Sequence, residues 1–189
     1  NLPFARALGY GILESDPRGL LDLPPGFQYR VLSSLGDVMS DGGTVPDKAD
    51  GMGCFDLGEG RIALVRNHEL VSTDDGGGAF SLGFGQKDGR FVPGGTTHII
   101  LDQATMEVSQ QFRSLGGTIR NCSGGVTPWG SWLSCEESPT GPGQKYGEGL
   151  QQNHGWVFEV PAAVSGLIDP VPLVAMGRFN HEAACVDAA

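Results

Sequence analysis

Apolar residues along this chain come in short runs, cut at close intervals by glycine or proline. Residues 61–69, RIALVRNHE, read as a strand whose apolar block, Ile62 to Val65, runs straight into a polar tip. Residues 96–101 and 106–112 predict a hairpin, with the polar stretch 102–105 as its turn. Further strands are predicted over 27–32, after a Pro-Pro-Gly turn, over 127–136 and over 155–160, with two or three more inside 172–187. Between them, SDGGTVPDKADG reads as a loop, and STDDGGGAFSLGFGQKDGRFVPGG is too rich in glycine for regular structure and long enough to suggest function.

Composition supports the same picture. With 31 glycines and 12 prolines in 189 residues there is little room for long helices, which favours a turn-dense all-β fold. A hydrophobic share of 39% suffices for a folded core. No apolar run approaches a membrane span. The net charge of −10 and a total of three lysines (Lys48, Lys87 and Lys145) argue against nucleic acid as a partner. Excess carboxylate suits hard cations such as calcium, although an acidic surface accounts for it equally well.

A weak repeat adds a topology. RNHE at 66–69 recurs as RFNHE at 178–182, each after an apolar run, and SCEE, residues 134–137, falls between them. Of the intervals, 67 residues from Glu69 to Glu136 and 46 from Glu136 to Glu182, the second matches a propeller blade of about 40–50 residues and the longer one holds the glycine-rich loop as an insertion. Equivalent strand ends converge on a propeller's channel, so these acidic tips would meet. Carboxylates gathered away from water need a cation between them, which makes Glu69, Glu136 (with Glu137 as a second) and Glu182 candidate metal ligands. Cys122, in NCSGG, would bring a soft thiolate and shift the preference toward iron or zinc. The adjacent glycines would let an ion or anion approach the backbone.

Each of these residues also has a plainer use. Glu69 and Glu182 could accept amide hydrogen bonds at strand ends. His68 and His181 could ligate a metal, contact an anion or orient a neighbour. Arg66 and Arg178 could meet an anion or pair with a glutamate. Cys54 and Cys185 read as buried apolar filler, Cys135 as packing in a sheet face, and Trp129 and Trp132 as core. The four cysteines allow three complete disulfide pairings, none at C-x-x-C spacing. Catalytic serine-elbow, zinc-protease, P-loop and dinucleotide fingerprints are absent from the sequence.

Seven segments, GLLDLPPGFQYRVLS, DGMGCF, LVRNHE, GGTTHIILD, GTIRNCSGGVTPWGSWLSCEE, HGWVFEV and GRFNHEAACVD, resemble the PhoX-type alkaline phosphatase family in order and over nearly the whole length. The resemblance implies a six-bladed β-propeller whose iron and calcium cluster hydrolyses phosphate esters, with Cys122, Glu69, Glu136 and Glu182 as ligands. Arg66, Arg178 or His181 would then contact the phosphate. It also implies a monomer exported through the twin-arginine route to the periplasm or medium. Residues 1–50 would form an irregular N-terminal segment with the first strand, and 51–189 the blades. Family members continue past the RFNHE strand with further acidic tips, so an incomplete ring of roughly four blades, lacking some ligands, is expected here. Two other readings share these residues: a calcium-binding propeller without chemistry, and a metal-dependent phosphodiesterase or lactonase.

Overall fold

Backbone groups in a chain so interrupted by glycine find their partners across short antiparallel ladders. The computed structural model describes residues 9–188. Among them lie nine strands and one 3-10 turn, Val174–Met176. The chain divides into two compact units, Asn1–Leu32 and Ser33–Ala189.

The first unit is held by side-chain capping rather than by a sheet. The Asp16 carboxylate accepts the amides of Arg18, Leu20 and Leu21 at 3.1, 2.9 and 3.3 Å, and also the Tyr29 hydroxyl. A single bridge joins Glu14 to Leu23. Residues 27–32, predicted as a strand, form none.

In the second unit β1 (Ala49–Gly58), β2 (Arg61–His68), β5 (Gly94–Asp102) and β6 (Val108–Thr118) pair in that order as an antiparallel sheet. The two-residue strands β3 (Gln86–Lys87) and β4 (Arg90–Phe91) make a small hairpin within the glycine-rich loop. β7 (Asn121–Val126), β8 (Ser131–Glu136) and β9 (Val157–Pro161) form a second antiparallel sheet. Both sheets are open among the described residues. The predicted turn between β5 and β6 is present, closed by Asp102, whose Oδ1 accepts the amides of Ala104 and Thr105.

Phe55, Ala63, Val65, Ile100, Phe112 and Leu115 from the first sheet pack with Trp132, Phe158 and Val160 from the second in one core. Each such side chain, once buried, contributes about 1.5–3 kcal/mol by leaving water. Trp132 lies in that core and Cys135 is buried in a separate cluster with Leu133 and Val157, in line with the packing expected from the sequence. Trp129 is not buried. It stands 62% exposed in the turn before β8, its indole donating to Glu159 at 2.5 Å.

Cys54 is also exposed, since β1 turns Gly53 and Phe55 inward and Cys54 therefore outward. Cys185 is exposed too, and all four cysteines are free thiols. Residues 178–188 run without a strand ladder, although strands were expected there. Their ties to the sheet include the amides of His181 and Ala184, which donate to Glu136 and Gly124 at 3.1 and 3.2 Å.

Candidate metal centre

The polar tip of β2 is buried, and that fact organises the centre. Asn67 Oδ1 accepts the Trp132 indole at 2.9 Å and the Ser134 hydroxyl at 2.8 Å, while its Nδ2 donates to the Ser123 carbonyl at 2.8 Å. Asn121 extends the chain of bonds, donating to Ser134 Oγ at 2.9 Å and accepting from Thr118 at 2.6 Å. The end of the first sheet thereby fixes the strand that carries Cys122. His68 is equally occupied: Nδ1 donates to the Asp47 carbonyl and Nε2 accepts from Thr97, both at 2.9 Å. Burial pushes its pKa down to about 4, so it stays neutral and orients neighbouring segments.

The glycines beside Cys122 serve a close backbone approach. A Cβ on Gly124 would lie 1.7 Å from the Leu133 carbonyl oxygen, and one on Gly125 would lie 2.0 Å from that of Ala184. The SGG turn therefore admits another stretch of backbone, the 181–185 segment, where the sequence suggested an ion or anion. That segment delivers Glu182. One ligand-type atom each from Cys122, Glu137 and Glu182 lies within 4.8 Å of the others. The Cys122 Sγ sits 3.6 and 3.5 Å from the carbonyls of His181 and Glu182, to which its proton points. Burial raises the thiol to about 11, helped by the charges of Glu182, Glu137 and Asp50, so without a bound ion it is protonated at neutral pH.

Glu136, named from the sequence as a ligand, points elsewhere. Its fully buried carboxylate accepts four hydrogen bonds: Ile119 N (2.9 Å) and His154 Nδ1 (2.7 Å) on Oε1, Gly155 N (2.7 Å) and Trp156 N (3.1 Å) on Oε2. Four donors use its lone pairs, and Glu137, one residue on, is the carboxylate beside Cys122. Glu69 lies outside the three-residue group but connects to it through Arg120. That guanidinium donates to Glu69 Oε1 from Nε (3.1 Å) and Nη2 (2.9 Å), and to Glu137 Oε2 from Nη2 (2.7 Å). Hydrogen bonding to Glu69, with the charges of both glutamates, raises its pKa further.

Each of the three residues expected to meet phosphate is engaged by protein groups. Arg66 lies within β2, its guanidinium on Ser33 (3.0 Å) and Thr97 (3.4 Å). Arg178 donates to the carbonyls of Pro139 and His154 at 2.7 and 3.2 Å. His181 is buried, Nε2 donating to the Gly177 carbonyl at 3.0 Å and its ring 3.7 Å from that of Phe179. Sequence reading passed over Arg120 and His154. Arg120 could have been noticed as the cation next to Cys122 in a stretch dense with acids, whereas His154 carries no local signal.

The glycine-rich loop borders a different space, a cleft of about 1080 Å³ lined by Asp74, Asp75, Lys87, Arg90, Phe80 and Phe91 among others. No cleft-lining residue belongs to the Cys122 group. Buried Arg113 anchors this loop through the carbonyls of Pro93 (3.1 Å) and Gly76, with Phe80 stacked on its guanidinium.

Antiparallel sheets whose strand ends gather carboxylates around one thiol define an all-β scaffold with an acidic, sulfur-bearing centre. The family model described as alkaline phosphatase PhoX matches residues 8–103 and 100–189, and the chain belongs to that family of alkaline-phosphatase-type hydrolases. No curated protein and no solved structure matches it. No helix among the described residues is long and apolar enough to cross a membrane.

Proposed function

We propose that Cys122, Glu137 and Glu182 hold an ion of a metal centre that hydrolyses phosphate monoesters, on sheets that are blades of a β-propeller. The observation that carries this reading is the convergence of a thiol and two carboxylates in a chain of an alkaline phosphatase family. The donor set fits: sulfur favours a transition metal such as iron, and the surrounding carboxylates, Glu69 included, favour calcium. Two successive antiparallel sheets, one of four strands and one of three, agree with blade architecture.

An ion bound here would offset the phosphoryl group's negative charge and lower the pKa of a bound water. The chain's own residues do the rest. Cys122 gives up its proton on binding, and Glu137 and Glu182 close the site from two segments. Glu136 stays on its four donors and keeps the end of β8 in place. Arg178 and His181 are assigned the phosphate contact because they share the segment that delivers Glu182. The same reading carries iron and calcium as cofactors and a periplasmic or secreted location.

Cobalt(II) titration of the metal-free chain tests the centre directly. A thiolate-to-cobalt absorption band is expected in the wild type and none in Cys122→Ser. Iron- and calcium-loaded protein should hydrolyse 4-nitrophenyl phosphate. If the chain binds calcium but gives no thiolate band and no hydrolysis, it is a calcium-binding scaffold and the enzymatic reading fails.

A further inference from the structure

Arg120 is built into the centre more firmly than a surface arginine. It occupies the turn between β6 and β7 at φ 49°, a left-handed conformation that is uncommon for a side chain of its size. Its amide donates to the Leu70 carbonyl, next to Glu69, and its carbonyl accepts the amide of Glu137, both at 2.8 Å. Its backbone is thus fastened at the two places where its guanidinium also binds. The side chain puts one positive charge between two carboxylates, Glu69 and Glu137, at 2.9 and 2.7 Å. With Glu182 the local sum without an ion is three negative charges against one positive. Removing the guanidinium would leave three carboxylates facing one another.

We propose that Arg120 is the counter-cation of the metal-free centre and competes with the incoming ion for Glu69 and Glu137. The inference rests on the metal-centre reading. A guanidinium and a divalent ion serve the same carboxylate charge and repel each other, so the more Arg120 contributes to the empty centre, the weaker the ion binds. It is a positioning residue: it keeps the ligands assembled and half-neutralised until an ion takes over that charge. The ion pairs are partly solvent-accessible, with side-chain exposures of 40% for Arg120 and 28% for Glu69 and for Glu137, so the effect on affinity is modest.

The test uses cobalt(II) alone, added to the full metal-free chain and read by the part of the thiolate band that Cys122→Ser removes, since Cys54 and Cys185 are exposed thiols. Arg120→Gln should bind cobalt roughly three- to tenfold more tightly than wild type. Without metal it should melt about 2–4 °C lower, and with saturating cobalt the gap should close. Arg120→Lys keeps the charge but loses the planar fork, so it should fall between the two. If Arg120→Gln does not fold without metal, release of cobalt to a chelator from the variant refolded with the metal decides: slower release than wild type supports competition, and equal or faster release overturns it. Lysine equal to wild type beside a tighter glutamine variant supports competition and assigns it to the charge rather than to the planar fork. Weaker cobalt binding by Arg120→Gln would make Arg120 a support for bound ligands and refute competition. Absence of the band in wild type and variants alike would sink the metal-centre reading itself and this inference with it.

Discussion

Replacing Glu136 by glutamine keeps its size and removes its charge, and the four donors around it make the consequence calculable. Ile119 N and His154 Nδ1 meet Oε1, and Gly155 N and Trp156 N meet Oε2. Glutamine offers one oxygen and one NH2. With its NH2 toward Gly155 and Trp156, both amides lose their acceptor; with it toward Ile119 and His154, the imidazole can change tautomer and accept, and only the Ile119 amide loses. At about 1–3 kcal/mol for each buried group left unsatisfied, the loss in the better orientation is about 1–3 kcal/mol. Against a typical total of about 5–15 kcal/mol, Glu136→Gln should remain folded but markedly weakened. Urea unfolding of the metal-free chain measures it as a lower midpoint at unchanged slope. Glu137→Gln is the contrast. Its carboxylate is part-exposed, so metal-free stability should change by less than about 1 kcal/mol while the cobalt band weakens or disappears. If instead Glu136→Gln keeps wild-type stability and loses the cobalt band, Glu136 is the ligand and the assignment made from these four bonds is wrong.

Two further perturbations probe the same architecture. Gly125→Ala places a methyl 2.0 Å from the Ala184 carbonyl and should push away the segment that delivers Glu182; the expected result is at least tenfold weaker cobalt binding with the core still folded, and unchanged binding would refute the close-approach argument. His98, fully buried and stacked on Phe112, has its pKa pushed down by burial from the ordinary 6.5 to about 4. The unfolded chain takes up the proton first, so its contribution is complete above pH 6.5 and declines by about 1.4 kcal/mol per pH unit until about pH 4. His68, with its pKa also pushed down by burial to about 4, adds an equal slope over the same window. Urea midpoints measured from pH 7.5 to 4.5 should therefore follow the sum and lose about half of it in His98→Phe, and an unchanged slope in the variant would rule His98 out as a source.

What the sequence made legible was what is local. The β2 run, the β5–β6 hairpin and its Asp102 turn, β8 and β9 all follow from alternation and breakers within a few residues. Residues 27–32 and 172–187 have the same extended composition and failed as strands, since a strand needs a partner that composition does not announce. The choice between Glu136 and Glu137 was equally out of reach. It is made by amides at 119, 155 and 156, far along the chain from β8. Trp129 and Trp132 differ for the same reason, one lying in a turn and the other under Asn67. The repeated NHE letters conceal different uses: Asn67 is fully buried in a network and Asn180 is exposed.

Nevertheless the two NHE copies reach one neighbourhood, and the route explains how a centre can be assembled from segments with so few ladder bonds. Glu69 follows the last residue of the first sheet's β2, Cys122 lies at the start of β7, Glu137 follows the last residue of β8, and Glu182 comes from a segment outside any ladder. Asn67 locks the first pair of elements together through Ser123, Trp132 and Ser134, and the glycines at 124 and 125 admit the third. An ion bound to these residues adds a tie between the 178–188 segment, which has no ladder of its own, and two sheets that already share a core. Any ligand that binds only the folded arrangement stabilises it by RT ln(1 + [L]/Kd), about 2.7 kcal/mol at a hundredfold excess over Kd. The gain should therefore appear chiefly where the ladders are sparse, as slowed amide exchange at His181 and Ala184, whose backbone bonds tie the Glu182 segment to the sheet. Equal slowing throughout the β2–β5 ladder would mean that the ion stabilises the fold as a whole and does not cross-link these elements.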